Sequence, residues 1–160
     1  GRPDEYTKLF WEVYANGNPT VYRTSRFCNS YREPVTFGKA NIVKKGSKAT
    51  VLAVGPMLEL AMQALADEDV TILYYTTISP FDELTLRSNL VNDRLLVMEP
   101  AYQGGILPQI TKTLSGCFLK MDFIGYPHEF IINHGYVVEN ASMYGLTIEG
   151  VKDKYRKLVG

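Results

Sequence analysis

The chain has 160 residues, 46% of them hydrophobic, and its 17 basic side chains are balanced by 17 acidic ones. That length supports one domain with a short extension and a core that needs no disulfide or metal. The balanced charge and the absence of an apolar run of roughly 20 residues make neither a nucleic acid nor a membrane an expected partner. Cys28 and Cys117 lie far apart and are typical of free intracellular thiols, so the expected location is cytoplasmic.

The first 26 residues predict a helix followed by a short strand. The helix is predicted over residues 3–16, where apolar side chains recur at helical spacing and Gly17 follows the end. Residues 20–24 form a β-branched and aromatic run that is typical of a strand. Residues 27–36 are polar and contain a proline, so they predict a linker and a domain boundary near residue 36.

From residue 37 onward, strands alternate with helices. Strands are predicted at 39–44, 49–54, 70–75, 94–98 and 117–124. Helices are predicted at 57–66, 83–90, 106–114, 136–144 and 148–158, the last with Thr147 as its N-cap. The nearly all-apolar run 49–54 is typical of a strand that is covered on both faces. The pattern therefore predicts a three-layer α/β/α domain with a mainly parallel sheet.

The segment 22–26, Tyr-Arg-Thr-Ser-Arg, is a candidate anion-binding site. Arg23 and Arg26 flank two hydroxyl side chains at the end of the predicted strand. The planar guanidinium group of arginine grips a phosphate through two oxygens at once. On the residues alone, two solvated surface arginines are the more common interpretation.

Several other residues are candidate sites that the sequence leaves open to more than one interpretation. Gly104-Gly105 precedes a predicted helix, where free N–H groups could bind an anion. The other interpretation, which is the expected one, is that the glycines only allow a tight turn. Glu99 ends a predicted strand, where it is either a ligand group or a cap on a nearby helix. His128 and His134 lack further ligands at metal-binding spacing, and Cys28 is expected to be a plain thiol. No glycine fingerprint for nucleotides is present.

The order of these segments resembles the transketolase family, from the end of the pyrimidine-binding domain through the C-terminal domain. Residues 22–26 resemble the segment that closes the pyrimidine-binding domain. Six further segments resemble parts of the family's C-terminal domain: 37–40, 48–55, 78–86, 95–99, 104–106 and 144–147. The chain departs from the family pattern at Pro100, at Leu107-Pro108 and over 126–136.

The resemblance implies a mixed five-stranded sheet with one antiparallel edge strand, formed by residues 39–44. It also implies that residues 1–26 are the tail of a preceding pyrimidine-binding domain, 27–36 a linker and 37–160 the C-terminal domain. In the family, the arginine that matches Arg26 binds the phosphate of the sugar substrate. Ser25 and Arg23 are then expected to add contacts to the same substrate.

The implied parent enzyme is a thiamine diphosphate-dependent transferase of carbohydrate metabolism that moves a two-carbon ketol unit between phosphosugars. Thiamine diphosphate and Mg²⁺ would be held by the remaining pyrimidine- and diphosphate-binding domains, in the same or a separate chain of a homodimer. This chain carries neither the diphosphate-binding signature nor the catalytic glutamate region, so it is expected to bind no cofactor or metal and not to catalyse alone. The alternatives are a β-subunit-like domain of a 2-oxoacid dehydrogenase and a non-catalytic assembly or binding module.

Overall fold

A mixed sheet of five strands forms the centre of the chain in a computed structural model that describes residues 2–132 and 136–160. The strands are β1 (Ala40–Lys44), β2 (Thr50–Val54), β3 (Thr71–Tyr75), β4 (Arg94–Tyr102) and β5 (Lys120–Tyr126). Their order is β1-β3-β2-β4-β5, with β1 antiparallel to β3 and the other pairs parallel. The expected mixed sheet with one antiparallel edge strand is confirmed.

Six helices accompany the sheet in the described residues. They are α1 (Pro3–Val13), α2 (Met57–Ala64), α3 (Glu83–Ser88), α4 (Leu107–Thr113), α5 (Val137–Met143) and α6 (Ile148–Val159). The predicted N-cap of the last helix is confirmed, since the hydroxyl of Thr147 accepts a hydrogen bond from the N–H of Gly150 at 3.0 Å. None of the described helices has the length and apolarity that crossing a bilayer requires.

The sheet separates two hydrophobic cores, because successive side chains of a strand point to opposite faces. Along β2, Val51 and Ala53 pack with α2 and α6, whereas Leu52 packs with α3 and α4. All three side chains are fully buried. The nearly continuous apolar run of β2 is therefore explained by helices on both faces, as the sequence predicted.

Residues 20–24 do not form the predicted strand. They run without regular secondary structure, and Val21 is 93% exposed. A β-branched and aromatic composition favours a strand only when a neighbouring strand is present to pair with it. The predicted strand at 117–124 also begins later, at Lys120, because the N–H of Cys117 donates to the carbonyl of Leu114 in the turn after α4.

The N-terminal segment is attached to the sheet through buried polar groups. The hydroxyl of Tyr74 on β3 donates to Oε2 of Glu5 on α1 and accepts from Nδ2 of Asn29 at 3.0 Å. Val35 is buried in the core that faces α2 and α6. The segment that follows Arg26 is therefore anchored to the domain, while the domain boundary near residue 36 stays a prediction.

Candidate functional site

The two arginines of the segment 22–26 are both exposed in the irregular chain between α1 and β1. The hydroxyl of Ser25 accepts a hydrogen bond from the N–H of Phe27 at 3.1 Å, which closes a local turn around Arg26. The guanidinium carbon of Arg26 lies 5.4 Å from the centre of the Phe27 ring. Among the described residues, no carboxylate lies within ion-pair distance of Arg23 or Arg26. Both cations therefore remain available to an anion from outside the chain.

Arg23 lies at an open cleft of about 250 Å³ between the carboxyl ends of β4 and β5. The other residues that line it are Pro100, Ala101, Tyr102, Tyr126 and Ile131. Ligands of open α/β sheets bind outside the carboxyl ends of the strands, so the position is one that such folds use. Arg26 and Ser25 are not among the lining residues, so the structure brings only one of the three predicted site residues to this cleft.

The cleft exists because the ladder between β4 and β5 is interrupted. From Met98 to Tyr102 β4 advances four residues, while β5 advances two, from Ile124 to Tyr126. Pro100 lies inside this bulge and has no N–H to donate to the ladder. A Cβ at Gly125 would lie 3.0 Å from the carbonyl oxygen of Ala101, so a glycine there allows the bulged strand to pass closely.

Two tyrosine rings at the cleft are held by other rings. Tyr102 stacks on the imidazole of His128, with 5.1 Å between ring centres and 22° between planes. His128 is fixed in turn, since its Nε2 lies 3.0 Å from the carbonyl oxygen of Gln103. Tyr126 meets Tyr144 edge-on at 5.7 Å, and burial raises the pKa of Tyr126. The positions of the two tyrosine rings are therefore fixed by contacts within the chain.

Glu99 caps the loop before α4. Its buried carboxylate accepts from the N–H of Gly104 at 2.6 Å and from that of Ile106 at 3.0 Å. Burial raises the pKa of Glu99, against the hydrogen bonds, which act to lower it. The N–H groups near Gly104-Gly105 thus already bind an internal anion, and the capping interpretation of Glu99 is the one that the structure supports.

The remaining sequence candidates have no clear chemistry here. His128 stacks on Tyr102 without lining the cleft itself, His134 lies outside the described residues, and Cys28 and Cys117 are exposed free thiols. Sequence reasoning missed Tyr102, Tyr126 and Ile131, since nothing in their spacing indicates a cleft. The available signal was the departure from the family pattern at Pro100 and over 126–136, which contribute to its lining.

Comparisons with known proteins bear on the fold and the family. A model of the family described as transketolase, C-terminal domain, matches residues 38–151. An uncharacterized 33.6 kDa protein in the fasciation locus of Rhodococcoides fascians is 28% identical over the whole of this chain, which covers 53% of that protein. The 1-deoxy-D-xylulose-5-phosphate synthase of Polaromonas sp. strain JS666 is 28% identical over 93% of this chain and 25% of the synthase.

A solved structure described as a split gene transketolase, inactive β4 tetramer, superimposes with a TM-score of 0.68. The match covers 79% of this chain and 44% of that one at 20% identity, so it shows a shared fold. The chain spans about half the length of the first curated relative and a quarter of the second. Because the family model covers well over half of its length, the chain belongs to the transketolase C-terminal domain family.

Proposed function

We propose that the chain is the C-terminal part of a thiamine diphosphate-dependent, transketolase-like transferase that moves a two-carbon ketol unit between phosphosugars. Family membership supports the architecture, and the name of the Polaromonas relative, a sugar-phosphate synthase, supports the phosphorylated substrate class. The parent enzyme is proposed to be a cytoplasmic homodimer whose pyrimidine- and diphosphate-binding domains lie in the same or a separate chain. The observation that carries the substrate class is the exposed guanidinium of Arg26, which has no carboxylate within ion-pair distance in the part of the chain that the structure describes.

Arg26 is proposed to bind the phosphate of the sugar and so orient its reacting end. Two parallel N–H···O bonds fix both the position and the direction of a phosphate, which a single ammonium does not. The chain just beyond Arg26 is anchored, since the N–H of Ser30 donates to Oε2 of Glu59 at 2.6 Å. A segment that is anchored four residues beyond Arg26 has less freedom to lose on binding, and this helps the arginine to hold the substrate in a reactive orientation.

The cofactor and its Mg²⁺ are proposed to be held by the other domains. In the part of the chain that the structure describes, no three His, Cys, Asp or Glu side chains converge to hold a metal ion. The N–H groups of Gly104 and Ile106, which precede α4, are already occupied by Glu99. Thiamine diphosphate supplies the carbanion chemistry wherever it is bound, and the contribution proposed for this chain is substrate binding.

The test is an Arg26→Ala substitution in the complete enzyme, with Arg32→Ala as the matched control because Arg32 is also exposed in the same segment. We expect kcat/KM for phosphorylated substrates to fall about 10- to 100-fold, the equivalent of a lost charge-assisted contact. Unphosphorylated analogues should be affected little. Equal losses for both substrate types would refute the phosphate role. Unchanged kinetics for phosphorylated substrates would also refute it. A complete enzyme that turns over 2-oxoacids and no phosphosugar would instead favour the 2-oxoacid dehydrogenase-like parent.

A further inference from the structure

We propose that the cleft between the carboxyl ends of β4 and β5 binds a small organic anion, at a site separate from Arg26. Arg23 would take the phosphate or carboxylate head group. The rings of Tyr102 and Tyr126 would take a planar or apolar skeleton. This inference goes beyond the proposed function, because it assigns the chain a ligand of its own that ketol transfer does not require.

The charge of the lining favours an anion. Among the described residues at the cleft, Arg23 alone carries a charge. Glu99, the carboxylate that directly precedes Pro100 on β4, is buried and accepts hydrogen bonds from the N–H groups of Gly104 and Ile106. A guanidinium without an internal partner next to a cleft is suited to a bidentate oxyanion.

The two tyrosines favour a ligand with a ring or an apolar skeleton. They are register partners on β4 and β5, so their side chains leave the same face of the sheet. The Tyr102 ring is 49% exposed, yet it is held by the His128 stack. Rings that are already immobilised lose little entropy when a second ring packs on them, and each aromatic contact contributes about 0.5–1.5 kcal/mol.

The size of the cleft suits a small molecule. Its volume of about 250 Å³ is below the roughly 300–1,000 Å³ of drug-sized sites. The bulge at Pro100 and the close approach at Gly125 create this space, and Pro100 is one of the positions where the chain departs from the family pattern.

The experiment titrates the 160-residue protein with phenyl phosphate, benzoate and inorganic phosphate, followed by calorimetry and by NMR shifts of the tyrosine rings. We expect one of the two ring-bearing anions to bind at least about 10-fold more tightly than inorganic phosphate, and the tighter one identifies the head group. Arg23→Ala should weaken that binding at least about 10-fold, and Tyr102→Ala about 2- to 12-fold. Both residues are exposed, so circular dichroism should show an unchanged fold.

Two further variants make the outcome decisive. Ala101→Phe should block the cleft by volume while leaving the charge of Arg23 in place, and it should abolish binding. Arg26→Ala should leave binding unchanged. The inference is overturned if neither ring-bearing anion saturates, if Arg23→Ala binds like the native protein, or if only Arg26→Ala loses binding. That last result would place the anion at Arg26 and leave the proposed function standing.

Discussion

The hydroxyl of Tyr74 donates a hydrogen bond to Oε2 of Glu5 at 2.9 Å, although 69 positions separate the two residues. The hydroxyl oxygen of Tyr74 also accepts a hydrogen bond from Nδ2 of Asn29. One side chain on β3 therefore joins both α1 and the segment after Arg26 to the sheet. Burial, followed by the charge of Glu5, raises the pKa of Tyr74. The hydroxyl therefore keeps its proton and remains a donor throughout the neutral pH range.

Tyr74→Phe should destabilise the protein although it keeps the ring. The substitution deprives two buried polar side chains, Glu5 and Asn29, of this hydroxyl, and such a loss costs about 1–3 kcal/mol. Urea unfolding measures the difference in the free energy of unfolding. Tyr14→Phe is the matched control, because Tyr14 is 67% exposed. This substitution should change the free energy of unfolding by no more than about 0.5 kcal/mol. Equal losses for the two variants would show that the Tyr74 hydroxyl has no structural role.

Asp82 should make the stability of the protein depend on acid pH. Its carboxylate accepts from the N–H of Ala40 at 3.0 Å and from that of Thr85 at 3.2 Å, so it ties β1 to the start of α3. Burial acts to raise the pKa of Asp82, but these hydrogen bonds outweigh it and the pKa lies below its usual value. Folded Asp82 therefore binds its proton less tightly than unfolded Asp82.

The stabilisation by Asp82 is complete above the unfolded pKa of about 4 and is lost as the pH falls through the lower folded pKa. We expect Asp82→Asn to cost about 1–2 kcal/mol near pH 6, because an amide nitrogen cannot accept. The difference in the free energy of unfolding between Asp82→Asn and the native protein should narrow as the pH falls below about 4 in urea unfolding. Asp67→Asn, at an exposed position, should show no such convergence. If the difference in stability between Asp82→Asn and the native protein does not change with pH, the ionised Asp82 carboxylate is not the stabilising group.

Glu99→Gln should destabilise the loop before α4, although the two side chains have nearly the same shape. The loop presents two N–H groups, from Gly104 and Ile106, and glutamine has one acceptor oxygen for them. Its amide nitrogen would face a second donor, so a loss of about 1–3 kcal/mol is expected in urea unfolding at neutral pH. Glu129→Gln at an exposed site is the control. A native-like stability for Glu99→Gln would mean that one acceptor suffices.

Gly150→Ala should destabilise the protein although alanine is the better helix former by about 1 kcal/mol. A Cβ at Gly150 would lie 2.2 Å from the carbonyl oxygen of Gly145, which belongs to the turn between α5 and α6. Relieving that overlap should cost about 1–3 kcal/mol, seen as a lower midpoint in thermal unfolding. Asp153→Ala, exposed on the same helix, raises helix propensity without a clash and should be neutral or stabilising. A stabilised Gly150→Ala would overturn this account.

Much of the fold could be predicted from the sequence because local pattern and tertiary packing agree. The apolar run of β2 is buried by helices on both faces, and Thr147 caps α6. The strand predicted at 20–24 was wrong, because a β-branched and aromatic composition shows only that a segment suits a sheet. It does not show that another strand lies beside the segment to pair with it. Val21 has no strand beside it and remains in solvent.

The cleft could not be predicted, because it results from an interruption in pairing rather than from a motif. Pro100 indicated only that the ladder would be disturbed, and Gly125 indicated only a possible close approach. How far β4 bulges, and which tyrosines then meet, depends on register. Likewise, Arg23 and Arg26 are three positions apart in sequence, yet only Arg23 lines the cleft.

The direction of β1 decides where the chain before it arrives. Ala40, the first residue of β1, is paired with Tyr75, the last residue of β3. The segment that leads into this antiparallel edge strand must therefore reach the sheet at the edge where the carboxyl ends of the parallel strands lie. A parallel β1 would have brought it to the opposite rim, about 17 Å away for five residues. Arg23, in the chain that leads into β1, lies at that same edge, beside the ends of β4 and β5.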